Sequence, residues 1–492
     1  MPSFNTLFTS IRKHRNQYAL IAGIVVALSL YFFNPLLLDA KAKMVLSVAT
    51  LMIVWWVLEA LPLAVVALIP LVLFPLLQIS SLKDVTRCYS DSNIYLFMGG
   101  FFLAIAIEKW NLHKRIALGI INITGTNGNR IILGFILSTG FLSLWLSNTA
   151  TTMMMFPIAT SVIQVVGQQE NPNGNMKNFS LVLMLSIAYA SNFALGTIIG
   201  TPPNVAYVNY ISEKFNYNIG FAKWMILFLP MTILLLFMLY WVMVKWLYPN
   251  RISHSEGGKL FIKTELEKLG KMSVPEKRVM VIFLFTVFCW IAKDGINNIQ
   301  QLFQLDDTII AMAGGLMMFL VPSGSVKAEK SIPLLEWVDT QKMAWGILLL
   351  FGGGIALAKS LEEVKLIDQL GSYLSGFGQN GLFLTILMVT AVSVFLSEVM
   401  SNVAQVIVMA PVVSAMAVSM HLDPLLLGIP MTLGASCASM LPMGTPPNAM
   451  VFASGHIRIQ DMIKTGFVLN LISIILITLF CYFLQPMILK LG

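Results

Sequence analysis

The chain has 492 residues, 57% of them hydrophobic and 11% charged, with a formal net charge of +8. A soluble domain carries roughly a quarter charged residues, so this composition excludes a soluble enzyme and points to an all-α protein that crosses a bilayer repeatedly. The positive surplus does not mark a nucleic-acid binder, because the basic residues cluster beside apolar segments.

In chain order, "IRKHR" at 11–15 precedes a first apolar run at 18–38, too long for a cleaved signal peptide. Further apolar runs follow at 46–77 and 94–107. Residues 131–165 carry "LSNTATTMMMFPIA", a Ser147-Asn148-Thr149 triplet between two short apolar runs. That pattern predicts a re-entrant hairpin with the triplet at its tip. Ser143 lies one helical turn earlier on the same face. "GTPPN" at 200–204 then interrupts the apolar sequence. Pro cannot continue a helix but suits its first position, and Thr is a competent N-cap. One half-helix therefore ends near Gly200 and another starts at Pro202. After an apolar run at 224–246 comes a basic, Gly-containing stretch, 249–277, read as a cytoplasmic linker.

The second half repeats the first. Apolar runs recur at 279–292 and 344–358. A shift of 254 residues places "LFMGGFFLAIAIE" at 96–108 on "LFGGGIALAKSLE" at 350–362, Ser143 on Ser397 and Ser147-Asn148 on Ser401-Asn402. A second hairpin is expected over 382–419. A shift of 244 places the first GTPPN on the second, at 444–448, and a last apolar run spans 467–489. The expected organisation is an N-terminus and first helix (1–43), one repeat (44–248), the linker (249–277) and a second repeat (278–492). With both the N-terminus and the linker cytoplasmic, an odd number of later spans leaves the C-terminus outside. The second repeat then runs through the membrane upside down, and interrupted helices at matching positions of inverted repeats point to a transporter.

Carbonyls at half-helix C-ends, with hydroxyl and amide oxygens, suit a hard cation such as Na⁺. Half-helix N-termini suit an anion. No Lys or Arg lies in either triplet or pentapeptide, so a bound anion would lean on helix dipoles, neutral donors and a cation beside it. Other chemistry has little support. "GASCAS" at 434–439 lacks a partnered His, and neither HExxH nor a GxxxxGK[ST] phosphate loop occurs. Cys88, Cys289, Cys437 and Cys481 form no CxxC pair and read as packing residues. Glu108 and Glu362 stand at run ends and read as interfacial. Glu398, between Ser397 and Ser401, either tunes the local field or bridges to the scaffold.

At the two triplets and the two GTPPN segments the chain resembles the divalent anion:sodium symporter family, which includes bacterial and animal di- and tricarboxylate carriers. The resemblance covers nearly the whole chain. It implies inverted repeats with about eleven spans and two re-entrant hairpins, a homodimer in the plasma or inner membrane, and an elevator-type transport domain. It implies one sodium site at Ser143, Ser147, Asn148 and Gly200, and another at Ser397, Met400, Asn402 and Gly444. Substrate carboxylates would meet Asn148, Thr149, Asn402, Thr201 and Thr445, with Pro202 and Pro446 lining the pocket. Val403 stands where the family motif has Thr, and Gln405-Val406 where it has Thr-Thr. The implied function is Na⁺-coupled symport of succinate-class dicarboxylates. A sodium-independent exchanger and a sulfate or citrate carrier are the alternatives.

Overall fold

The computed structural model describes residues 15–34, 38–125, 127–168, 175–252, 256–299, 304–327, 330–366 and 381–489. Residues 1–14, which carry most of the N-terminal basic cluster, and the final 490–492 lie outside the described residues.

Helices α1 (Arg15–Phe33) and α2 (Ala40–Val57) pack together, and the side chain of Asp39 caps α2 at the Ala42 N–H. Two short helices, α3 (Leu63–Val66) and α4 (Ile69–Leu76), and α5 (Leu82–Cys88) lead to α6 (Ser92–Lys109) and α7 (Leu112–Thr124). The first hairpin is α8 (Gly128–Ser143) and α9 (Asn148–Gly167). Next come α10 (Met176–Asn192), the break at 193–201, α11 (Pro202–Phe215) and α12 (Phe221–Tyr240), which runs on as a π-helical stretch to Leu247. The second half holds α14 (Val274–Ile299), α15 (Asp307–Leu320), α16 (Trp345–Glu363), the hairpin α17 (Leu382–Leu396) and α18 (Asn402–Ser419), then α19 (Pro424–Ala435), α20 (Pro446–Phe452), α21 (Ile459–Leu479) and α22 (Gln485–Leu489). Among the described residues, eight helices are long and apolar enough to cross a bilayer. This is an integral membrane protein.

Three local details go beyond the sequence reading. The stretch expected as a linker contains a helix, α13 (Glu256–Lys268), packed on α7 and α9. Arg115 of α7 fastens the residues after it, donating to the carbonyls of Leu269 and Gly270 and to the Glu276 carboxylate at 3.0 Å. A small antiparallel pair, β1 (Pro322–Lys327) and β2 (Lys330–Pro333), departs from a purely helical fold. The second arms of the hairpins, 20 and 18 residues long, run through Pro157 and Pro411 without ending there.

Hydrogen bonds fix which end of the molecule each hairpin enters from. Gly128 donates to the Ile252 carbonyl at 3.1 Å and Asn175 to the Asn250 carbonyl at 2.7 Å. The start of α8 and the start of α10 thus both lie at the 249–277 end. The second hairpin enters from the far end: Phe383 packs on Tyr482, and Leu425 accepts from Gln485 at 2.6 Å. Helix α12 and its π extension, 27 residues long, connect the two ends with a reach of about 40 Å.

The two halves embrace each other. Gly99 of α6 lies so close to α15 that a Cβ there would sit 2.4 Å from the Ala311 carbonyl carbon. A Cβ on Gly353 of α16 would sit as close, 2.3 Å, to the Ala67 carbonyl oxygen just beyond α3. Gly353 follows Gly99 by 254 residues and Ala311 follows Ala67 by 244, the same two offsets that relate the sequence motifs. Each half therefore places its glycine helix against the other half's partner helix, and only Gly permits that approach.

Candidate functional site

The break after α10 ends with its carbonyls gathered near the first hairpin tip. A Cβ at Gly200 would come within 2.5 Å of the Ala194 carbonyl and 3.4 Å of the Ser143 carbonyl, so Gly200 is there to let these oxygens converge. Thr197 donates to the Leu144 carbonyl at 2.6 Å, pinning the break to the hairpin. Ser147 caps α9 by accepting from the Ala150 N–H at 3.2 Å. Ser143 is fully buried, and its hydroxyl, like the buried Oδ1 of Asn148, has no hydrogen-bond partner. Buried oxygens left without donors are costly, and two of them beside converging carbonyls fit a cation with oxygen ligands. Ser143, Ser147, Asn148 and Gly200 are thus brought to one place.

The second tip is wired differently. The Ser397 hydroxyl lies 2.7 Å from Asn402 Oδ1 and also contacts the Ala435 carbonyl. Met400 closes the 397–401 turn through its N–H to Leu396 at 3.2 Å. Ser401 holds the N-cap position of α18 without a side-chain cap bond. Gln405 turns away from the tip, donating to the Ser393 carbonyl at 2.8 Å and hydroxyl at 2.7 Å. Val403 packs partly buried against the core, while Thr149 at the matching position is also half-buried.

Glu398 is 4% exposed and fully engaged. Its carboxylate accepts from the backbone N–H groups of Ser439 (2.8 Å), Met440 (2.9 Å) and Leu441 (3.0 Å) and from Asn470 Nδ2 (2.7 Å). It ties the second tip to the second break. A Cβ at Gly444 would approach Glu398 Oε2 to 3.3 Å, so the glycine of the second pentapeptide lies against this carboxylate. Glu398 follows Leu144 by 254 residues, and Leu441 follows Thr197 by 244. Both repeats therefore link the same two positions, once by a side-chain hydroxyl onto a backbone carbonyl and once by a backbone N–H onto a side-chain carboxylate.

The pentapeptides start helices as expected, with Pro202 and Pro446 at the first position. Thr445 caps Asn448 N at 3.3 Å, but Thr201 makes no such cap bond. Thr201 instead receives the Ser436 hydroxyl at 3.4 Å. Asn192 Nδ2 reaches Thr445 Oγ1 at 3.2 Å and Asn448 Oδ1 at 3.2 Å. Ser436 is Asn192 displaced by 244 residues, so each half sends one side chain into the other half's GTPPN. Asn204 and Asn448 fold their amides back onto the breaks, donating to the Thr197 carbonyl at 3.0 Å and the Leu441 carbonyl at 3.2 Å.

The sodium:sulfate symporter transmembrane profile matches residues 13–490. The chain belongs to the divalent anion:sodium symporter family. It is 38% identical over 493 residues to the sodium-dependent dicarboxylate transporter SdcS of Staphylococcus saprophyticus, covering 98% of this chain and 94% of that one. It is also 38% identical over 496 residues to SdcS of Staphylococcus aureus strain USA300, with 98% and 95% covered. Two solved transporters share the fold at 11% identity. YdaH of Alcanivorax borkumensis aligns with TM-score 0.58 over 82% of this chain and 89% of its own. MtrF of Neisseria gonorrhoeae aligns with TM-score 0.57 over 82% and 83%.

In this family member two cavities flank the centre. One, of about 220 Å³, lies toward the far end and is lined on α16 by Phe351, Gly354, Ile355 and Ala358. The other, of about 30 Å³, lies toward the linker end, includes Ser147, Gly200 and Pro202, and is lined on α6 by Phe97, Gly100, Phe101 and Ala104. The four α16 positions are the four α6 positions displaced by 254 residues. The far cavity is wide and its counterpart nearly closed.

Sequence reasoning missed Asn192, Ser436 and Asn470, and gave the Asn of GTPPN no task. Extending the 244-residue shift upstream would have paired Asn192 with Ser436. Asn470 has no such signal, because only the fold brings α21 to Glu398.

Proposed function

We propose that this protein is a secondary active transporter that carries small dicarboxylates of the succinate, malate and fumarate class together with Na⁺, without enzymatic activity. The observation that carries this reading is the pair of unpartnered buried oxygens, Ser143 Oγ and Asn148 Oδ1, beside the carbonyls gathered at Gly200. Na⁺ is a co-substrate here. A first ion would take Ser143, Ser147, Asn148 and the Gly200 backbone. A second would take Ser397, Asn402 and the backbone of Met400 and Gly444. Substrate carboxylates would be met by Asn148, Thr149, Thr201, Asn402 and Thr445, with Pro202, Pro446 and Val403 along the wall.

The physical logic is coupling by charge. No cationic side chain belongs to these motifs, so a dianion placed between the tips is stabilised by helix N-termini and by the cations already bound. An empty cation site leaves the anion poorly held, and this makes binding of one depend on the other. If two ions move with a dianion, transport is electroneutral. Each extra charge adds about 2.3 kcal/mol per 100 mV. The surrounding assembly in this proposal is a homodimer in the plasma membrane, embedded in lipid. Its N-terminus is cytoplasmic and its C-terminus outside, and it has two inverted repeats about the 249–277 stretch and an elevator-type movement of the hairpin-bearing part.

The test is radiolabelled succinate uptake into proteoliposomes with and without an inward Na⁺ gradient. Gradient-driven uptake in the wild type, lost in Asn148→Ala, is the expected result. Uptake that requires preloaded dicarboxylate and ignores Na⁺ would replace the symporter with an exchanger. Sulfate and citrate, added as competitors, report the anion class.

A further inference from the structure

Asn209 lies on α11, in the wall of the far cavity, and is 2% exposed. Neither its Nδ2 nor its Oδ1 has a hydrogen-bond partner. A buried amide with both ends unsatisfied is costly, and the cavity it faces is large enough to supply a partner. The same cavity is walled by the apolar Ile355, Ala358 and Ile407, and Lys359 stands exposed at its mouth. Among the described residues Lys359 makes no direct ion pair, although the Glu213 and Asp84 carboxylates lie within electrostatic reach of it, whereas its neighbour Lys214 is paired with Glu362.

We infer that the far cavity is a second binding site for a small dicarboxylate, separate from the one between the hairpin tips. Asn209 donates to one carboxylate, Lys359 pairs with the other, and the apolar wall covers the carbon chain between. This rests on the dicarboxylate reading above. The Lys214–Glu362 pair sets α11 and α16 level at the mouth, and both helices run toward the far end. Asn209 lies five residues inward of Lys214 and Lys359 three inward of Glu362, which places them about 7.5 and 4.5 Å deep. They thus differ in depth by about 3 Å, Asn209 on the α11 wall and Lys359 on the α16 wall. Position 453, which matches Asn209 in the second repeat, is Ala, so the polar group exists on one side of the molecule alone. A dicarboxylate held here waits about two helical turns from Pro202, where α11 starts at the central site. Glu213, also at the mouth, lies within electrostatic reach of Lys359, so a ligand carboxylate competes with it for the ammonium.

The experiment uses full-length protein in lipid nanodiscs and saturation-transfer difference NMR with succinate as the probe. Asn148→Ala removes the central site. In that background succinate signal is expected to persist. It should vanish in Asn148→Ala/Asn209→Leu and in Asn148→Ala/Lys359→Gln, the latter a change at an exposed residue that leaves packing intact. No signal in Asn148→Ala, or a signal indifferent to both second changes, overturns the site. A signal of equal strength with acetate that Lys359→Gln does not alter overturns the dicarboxylate assignment. Wild-type succinate uptake driven by Na⁺ is measured in parallel. Its failure would remove the transport reading, whereas its success with no residual signal would remove the second site alone.

Discussion

Phe97 and Phe351 meet edge to face, with ring centroids 5.5 Å apart and planes at 61°. They are the same position in the two halves, 254 residues apart. Two equivalent residues that touch each other must lie on the axis relating the halves. Phe351 lines the wide cavity and Phe97 the narrow one, so the ring pair is the partition between them. Such a pair contributes roughly 0.5–1.5 kcal/mol beyond its buried area. Phe351→Ala should open the partition and raise succinate leak in the absence of Na⁺ several-fold over wild type, while Phe351→Leu, which keeps bulk, should leak little. Efflux from succinate-loaded proteoliposomes checks this; equal leak in all three would mean the partition lies elsewhere.

Glu398 accepts four hydrogen bonds, three of them from consecutive backbone N–H groups at 439–441. Glu398→Gln puts an amide NH₂ where an acceptor is required and leaves at least one buried N–H unsatisfied, at a cost of about 1–3 kcal/mol. The variant should show lower thermal stability in detergent and lose transport, because the second tip is no longer tied to its break. Glu398→Ala, which removes all four bonds, should be worse. A Glu398→Gln protein with wild-type stability and uptake would refute this.

Ser143 offers one hydroxyl to the first site, whereas Asn148 is shared by the proposed cation and substrate positions. Ser143→Ala should therefore raise the Na⁺ concentration for half-maximal uptake about tenfold, equivalent to roughly 1.4 kcal/mol, while maximal uptake at high Na⁺ survives. A rise in the succinate requirement at saturating Na⁺, with the Na⁺ requirement unchanged, would reassign Ser143 to the substrate.

Much of this was legible because the chain states it twice. The triplets and pentapeptides stand out by recurrence, and Pro after Thr forces a helix to restart wherever it occurs. What could not be read are contacts that depend on one half meeting the other. Asn192 looks like an ordinary polar residue at the end of an apolar run until the fold carries it to Thr445. Glu398 carried two open readings, and the structure turns it toward the 439–441 backbone and Asn470. The α13 helix was hidden because its segment is charged, and the residues that follow it are anchored by Arg115, far away in sequence. The hairpins' second arms continue past an internal Pro, which is tolerated where neighbouring groups satisfy the freed carbonyl.

The reciprocal bonds Asn192 to Thr445 and Ser436 to Thr201 cross between the halves at 3.2 and 3.4 Å. A double-mutant cycle with Asn192→Ala and Thr445→Ala should give a coupling of about 0.5–1.5 kcal/mol. Asn192 with Thr201, which share no bond among the described contacts, should be additive. Thermal unfolding in detergent supplies the numbers. A zero coupling for the first pair would mean that the break segments are held together by packing alone.

Val403 replaces the hydroxyl that Thr149 supplies at the other tip. Both tips are half-buried and Val403 packs partly against the core, so an added hydroxyl at 403 gains where it turns to the open side, toward water or substrate. Val403→Thr should add one hydrogen bond to a bound carboxylate, worth about 0.5–1.5 kcal/mol, and lower the succinate concentration for half-maximal uptake by roughly twofold to tenfold. Maximal rate should hold, since a contact made equally in the bound and crossing states changes KM without changing kcat. Thr149→Val, the reverse change, should raise the half-maximal concentration by a similar factor. If Val403→Thr instead weakens succinate and strengthens sulfate or citrate in competition, Val403 is the residue that sets which anion this chain carries.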